Sequence, residues 1–71
     1  MKDLRRYVGT RVILQLDFEG SAVAGVVDGA TAEAVELVDV DVHSGRPGDK
    51  PTKADGRFHV LRDRIVWVQV P

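Results

Sequence analysis

Thr10-Arg11-Val12-Ile13-Leu14-Gln15-Leu16-Asp17-Phe18 decides the architecture, because apolar residues recur at every second position. Val12, Leu14, Leu16 and Phe18 form one face, alternating with Arg11, Ile13, Gln15 and Asp17. A period of two is that of a half-buried strand. Glu19-Gly20 then supplies a turn, and Ser21 to Val27 reads as a second strand of small residues and valine. Asp28-Gly29 predicts a hairpin turn, since both residue types tolerate positive φ. A third strand runs from Ala34 to Val42. Its apolar set changes face between Val35/Leu37 and Val38/Val40/Val42, which predicts a bend or bulge that lets one strand serve two sheets.

Toward the N-terminus the period changes. Leu4, Tyr7 and Val8 fall at i, i+3 and i+4 with Lys2, Arg5 and Arg6 opposite, predicting a short amphipathic helix over residues 2–8 that Gly9 stops. Toward the C-terminus, residues 44–55 contain two prolines and two glycines and read as a mobile loop. Gly56 to Leu61 is a fourth strand and Arg64 to Val70 a fifth, joined by a sharp corner at Arg62-Asp63. The expected fold is mainly β, a single domain over residues 1–71. It consists of the short N-terminal helix plus a five-stranded, strongly bent antiparallel barrel, an SH3-like roll in its architecture.

The chain has 71 residues, 44% of them hydrophobic and 30% charged, a globular composition. A domain of this size buries about 60% of the surface its unfolded chain exposes and is marginal alone. Without cysteine it has neither a disulfide nor a thiolate metal site, which leaves oligomerisation as the common remedy. No apolar run is long enough for a transmembrane helix, and the first residues lack a signal-peptide core, so a soluble cytoplasmic protein without membrane contact is expected. Net charge is −1, but residues 12–45 carry seven acidic residues and no Lys or Arg, while residues 1–11 and 46–71 are each +3. A basic surface therefore requires the two ends of the chain to meet in space.

In the last strand Val66, Val68 and Val70 alternate with Ile65 and Trp67, so both faces are largely apolar. Such a strand at an open edge invites pairing with another chain. The expected oligomer interface lies on strands four and five: Phe58, Val60, Ile65, Val66, Trp67, Val68 and Val70. A repeated heterologous contact of this kind closes into a ring, here a homo-oligomeric hexamer or heptamer.

Three stretches carry a family resemblance. Leu4-Arg5-Arg6-Tyr7-Val8-Gly9-Thr10-Arg11-Val12 is similar to a short helix leading into strand one of Sm-like proteins, the group of Sm, LSm and Hfq. Val12-Ile13-Leu14-Gln15-Leu16 with Gly20 and Gly25 resembles the first Sm motif, and Phe58 to Val68 resembles the second. Ile65, Val68 and Pro71 also resemble the Hfq tail. The resemblance implies an Sm-like roll, a ring, and RNA bound near the pore by Arg62 and at the helix face by Arg5, Arg6 and Arg11. The sequence departs from the family in that Asp63 stands where Gly or His is usual, the segment 28–34 has no aromatic, and Ala34 lies near the family's Asn.

Each of these residues also has a plainer reading. Arg5 and Arg6 fit a solvated helix face, and Arg62 fits a structural pair with Asp63 or with an acidic residue of a neighbour such as Glu36 or Asp39. His43 and His59 read as surface or half-buried histidines, Glu36, Asp39 and Asp41 as a solvated or inter-subunit face, and Trp67 as a packing or interface anchor. Ser21 and Ser44 have no His/Asp arrangement about them, and the glycines match no phosphate or dinucleotide loop. The chain is therefore expected to be no enzyme and to need no metal or cofactor. Three readings stand: an RNA-binding ring, a ring-shaped scaffold that binds protein and not RNA, and a monomeric SH3-like peptide-binding module.

Overall fold

A computed structural model describes residues 4–17 and 20–71. Six strands follow one another: β1 (Arg11–Leu16), β2 (Ala22–Ala30), β3 (Ala34–His43), β4 (Thr52–Ala54), β5 (Phe58–Leu61) and β6 (Ile65–Gln69). All pairs are antiparallel, in the spatial order β4-β3-β2-β1-β6, with β5 also on β3. The mainly β class and the antiparallel pairing agree with the sequence reading; four finer expectations are corrected.

The N-terminal helix is a single 3-10 turn, Leu4–Tyr7, rather than an α-helix, and residues 2 and 3 of the expected span lie outside the described residues. Gly9, at φ +87°, turns the chain straight into β1, so one turn suffices to drop Leu4 into the core. Among the described residues strands number six, because Thr52–Ala54, read as loop, pairs with Val40–Val42 of β3. The barrel is not closed: among the described residues β6 pairs with β1 alone, and β4 and β5 pair with β3 alone. The 3-10 turn Arg62–Arg64 carries the chain from one end of the sheet path to the other and leaves β5 and β6 unpaired with each other.

Two bulges interrupt the β2–β3 ladder. Ala24 faces Asp41 and Val26 faces Val38, so β3 has one extra residue opposite Gly25. Asp39 takes φ +54° there, which confirms the expected bulge. Its N-terminal side pairs with β5 and its C-terminal side with β4, so one strand serves two partners. Gly25 is required at this crossing, since a Cβ would sit 3.0 Å from the Val38 carbonyl oxygen and 3.2 Å from Val40 Cγ2. The second bulge is Asp28, passed over between the pairs Val27–Leu37 and Gly29–Glu36. Asp28-Gly29 is thus inside β2 and not a turn. The reversal lies three residues later, where the Thr31 hydroxyl accepts bonds from the Glu33 and Ala34 N–H groups at 3.2 and 3.1 Å.

The core holds Leu4, Val12, Leu14, Val23, Val27, Val35, Leu37, Val40, Val60 and Ile65. Val12, Leu14, Val35 and Leu37 are the inward positions the alternation indicated, each fully buried. Phe18, expected at the end of the first strand, and Glu19 of the following turn lie outside the described residues.

Candidate functional site

Strand edges differ in how they meet solvent. β4 is three residues long, follows Pro51 and carries Lys53, features that blunt an edge against further pairing. β6 is five residues long, Ile-Val-Trp-Val-Gln, with no charge. Its inner face is set by register: Ile65 lies opposite Leu16 and Val68 opposite Leu14. A register shift between these pairs releases Val66 from the ladder, and Trp67, opposite Gln15, points to the outer face. Val66 is 54% exposed and Trp67 61%, with Val70, just after the strand, and Leu61, at the end of β5, also exposed.

The seven residues expected at an interface therefore divide. Val60 and Ile65 are buried in the core, and Phe58 and Val68 are half-buried against it. These four use their apolar area within the chain, and Val66, Trp67 and Val70 keep theirs outside. An open groove of about 350 Å³ runs along β5, lined by Leu16, Val23, Val42 and Phe58, with His59 and Arg64 among its other lining residues.

The four arginines expected to hold RNA are not brought together. Arg11 reaches across the sheet to Asp41, Nη2 to Oδ2 2.7 Å, and to Asp39 at 3.8 Å. Arg62 donates from its backbone N–H to the Glu33 carbonyl at 2.9 Å and from Nη1 to the Ala32 carbonyl at 3.2 Å, pinning the corner before β6 to the turn before β3. Within the chain, Glu36 meets Arg57 at 3.6 Å and His59 Nε2 at 2.9 Å, and Asp39 meets Lys53 and Arg11. Arg5 and Arg6 are exposed on the first 3-10 turn, with the Arg6 guanidinium 5.6 Å from the centre of the Tyr7 ring.

Charge pairs instead brace the outer face of β3. Toward β4 stand Arg11, Asp41, Asp39 and Lys53; toward β5 stand Asp28, Arg57, Glu36 and His59. A hydrogen bond from Lys53, then the charges of Lys53 and Arg11, hold the Asp39 carboxyl below the usual carboxylate range. The bond to Asp28 and its charge raise Arg57 further. Sequence reading missed Arg57 and Lys53, which fall in or beside the segment read as a polar loop. Among the described residues no group of three His, Cys, Asp or Glu is placed to hold a metal ion.

No family model and no curated protein matches the chain. It is similar in structure to a chain in the crystal structure of the NatC complex bound to CoA, at 18% identity and TM-score 0.76, covering 100% of this chain and 87% of that one. A second match, in the NatC complex bound to Gag peptide and CoA, has 19% identity, TM-score 0.76, and 96% and 90% coverage. The likeness is one of fold.

These matches correct the family reading. The matched structures are of the NatC complex rather than of Sm, LSm or Hfq rings, and no family model supports the Sm-like assignment. The RNA-binding ring, the homo-hexamer or heptamer and the ring-shaped scaffold fall with it. A physical reason for the misreading is visible in the fold. Gly25 and the alternating apolar strands are demanded by a sharply bent sheet, whatever family builds it. Likewise Arg62 answers to backbone carbonyls of the 31–33 turn. Among the described residues no helix is long and apolar enough to cross a membrane.

Proposed function

We propose that this chain is a non-enzymatic protein-binding subunit that docks on a different protein through β6, with Val66 and Trp67 at the centre of contact and Leu61 and Val70 at its margins. One observation carries the reading. The charged side chains of the sheet are used in bracing pairs around β3, while the uncharged edge strand β6 exposes a valine and a tryptophan side by side. Tryptophan is enriched among residues that dominate binding energy at interfaces. Occurrence of the similar chains within the NatC complex supports a role as one component of an assembly of unlike proteins. The cytoplasm is its proposed location.

The test is affinity capture from source-cell extract, followed by reconstitution of the complex from purified partner and chain. Replacing Trp67 by Ala is expected to weaken the reconstituted complex at least ~30-fold, about 2 kcal/mol, as a central anchor does. Val66→Asp should abolish binding while circular dichroism stays native. A reconstituted complex indifferent to both substitutions overturns the proposal.

A further inference from the structure

Aspartate is followed by glycine twice in this chain, at Asp28-Gly29 and Asp55-Gly56, and the fold treats the two differently. Gly29 is inside β2, paired with Glu36, and the Asp28 carboxylate accepts a bond from Arg57. Asp55 and Gly56 lie in the three-residue link between β4 and β5, both exposed. Gly56 has φ +84°, and a Cβ placed on it would meet nothing within 4 Å. Among the described residues no hydrogen bond or ion pair holds the Asp55 carboxyl. The carboxyl and the backbone that follows it are thus unrestrained at Asp55-Gly56, whereas at Asp28-Gly29 an ion pair and a strand ladder restrain them.

We propose that Asp55-Gly56 is a site of spontaneous succinimide and isoaspartate formation in the folded protein, and that β2 protects Asp28-Gly29 from the same reaction. The Gly56 amide nitrogen gives its proton to solvent and attacks Asp55 Cγ. A new N–Cγ bond closes the ring, and the carboxyl OH leaves as water. Water then opens the ring: breaking the N–Cγ bond restores aspartate, and breaking the bond from nitrogen to the Asp55 backbone carbonyl carbon gives isoaspartate. One water leaves and one enters, so the net change is isomerisation with no other reactant. Glycine is the least hindered successor for this attack, because it has no side chain and the widest choice of backbone angles. Isoaspartate routes the main chain through Cβ, adding one atom to the link just before Arg57. It thereby disturbs the residue that ties β5 to Asp28 and Glu36.

The experiment holds the folded chain in oxygen-18 water at neutral pH, with a parallel sample in urea. Trypsin, cutting after Lys53 and Arg57, releases Ala54–Arg57; a second protease gives the Asp28 peptide. Mass spectrometry reads label, and electron-transfer fragmentation distinguishes isoaspartate from aspartate. In the folded sample residue 55 should label at least ~10-fold faster than residue 28, since reaction depends on reaching the attack geometry. In urea the two rates should converge, and Asp55→Glu should remove the signal from the tetrapeptide. Equal labelling of both sites in the folded protein, or labelling of Asp55 in urea alone, overturns the proposal.

Discussion

Arg11 Nη2 and Asp41 Oδ2 are 2.7 Å apart although their strands are not neighbours. β2 lies between them, and the register places Ala24 beside Asp41 and Val26 beside Arg11. The pair is a strap over the outer face of β2, and it fits because Ala24 offers only a methyl group beneath it. Both partners are partly exposed, with side-chain accessibilities of 40% and 30%, so solvent screening limits their worth. A double-mutant cycle with Arg11→Ala and Asp41→Ala, followed by urea unfolding, should give a coupling of about 0.5–1 kcal/mol. Ala24→Leu should remove most of that coupling by lifting the strap.

Gly25 faces the opposite way, into the crossing with β3. A Cβ there would stand 3.0 Å from a backbone oxygen, which cannot swing aside as a flexible side chain would. Gly25→Ala is expected to cost about 1–3 kcal/mol through overpacking, and Gly25→Val more, read as a fall in the denaturation midpoint at unchanged slope. By contrast Gly48→Ala, with open space at its Cβ position but φ +83°, should show only the cost of its backbone conformation.

Acid should act on the β3 bulge. In the folded chain Lys53, and after it Arg11, hold the Asp39 carboxyl below its ordinary value of 3.8. A lowered folded value means that the stabilisation is fully present above the unfolded value and is lost as pH falls from about 3.8 through the folded one. Stability measured down this range should therefore decline with a steeper slope in the native chain than in Lys53→Met, which lacks the principal cause of the shift.

Within β6 the two faces should separate cleanly. Ile65 is in the core, and Ile65→Ala is expected to destabilise the chain by about 2–5 kcal/mol. Trp67 is 61% exposed, and Trp67→Ser should alter stability by no more than about 0.5 kcal/mol. Thermal or urea unfolding of the isolated chain checks both. A large loss at Trp67 would mean that its ring packs within the chain and is not available to a partner.

Sequence alone determined what depends on local periodicity. The alternation in Val12-Ile13-Leu14-Gln15-Leu16 required a strand with one buried face, and the change of face within Val35–Val42 required a bulge, which is Asp39. These follow because side chains alternate along any strand, whichever strand lies beside it. Tertiary structure decided what depends on partners distant in the chain. Thr52-Lys53-Ala54 has no apolar pattern, and it is a strand because the edge of Val40–Val42 is there to pair with. Asp28-Gly29 has the composition of a turn, yet β3 takes it into the ladder and Arg57, 29 residues away, caps its carboxylate. The arginines suffered most from local reading. Arg11 and Arg62 resemble a binding surface when read along the chain, but one spans a sheet and the other closes a corner. Charge and composition say which groups are present; only the fold determines which of them are already engaged and which, like Trp67, face outward.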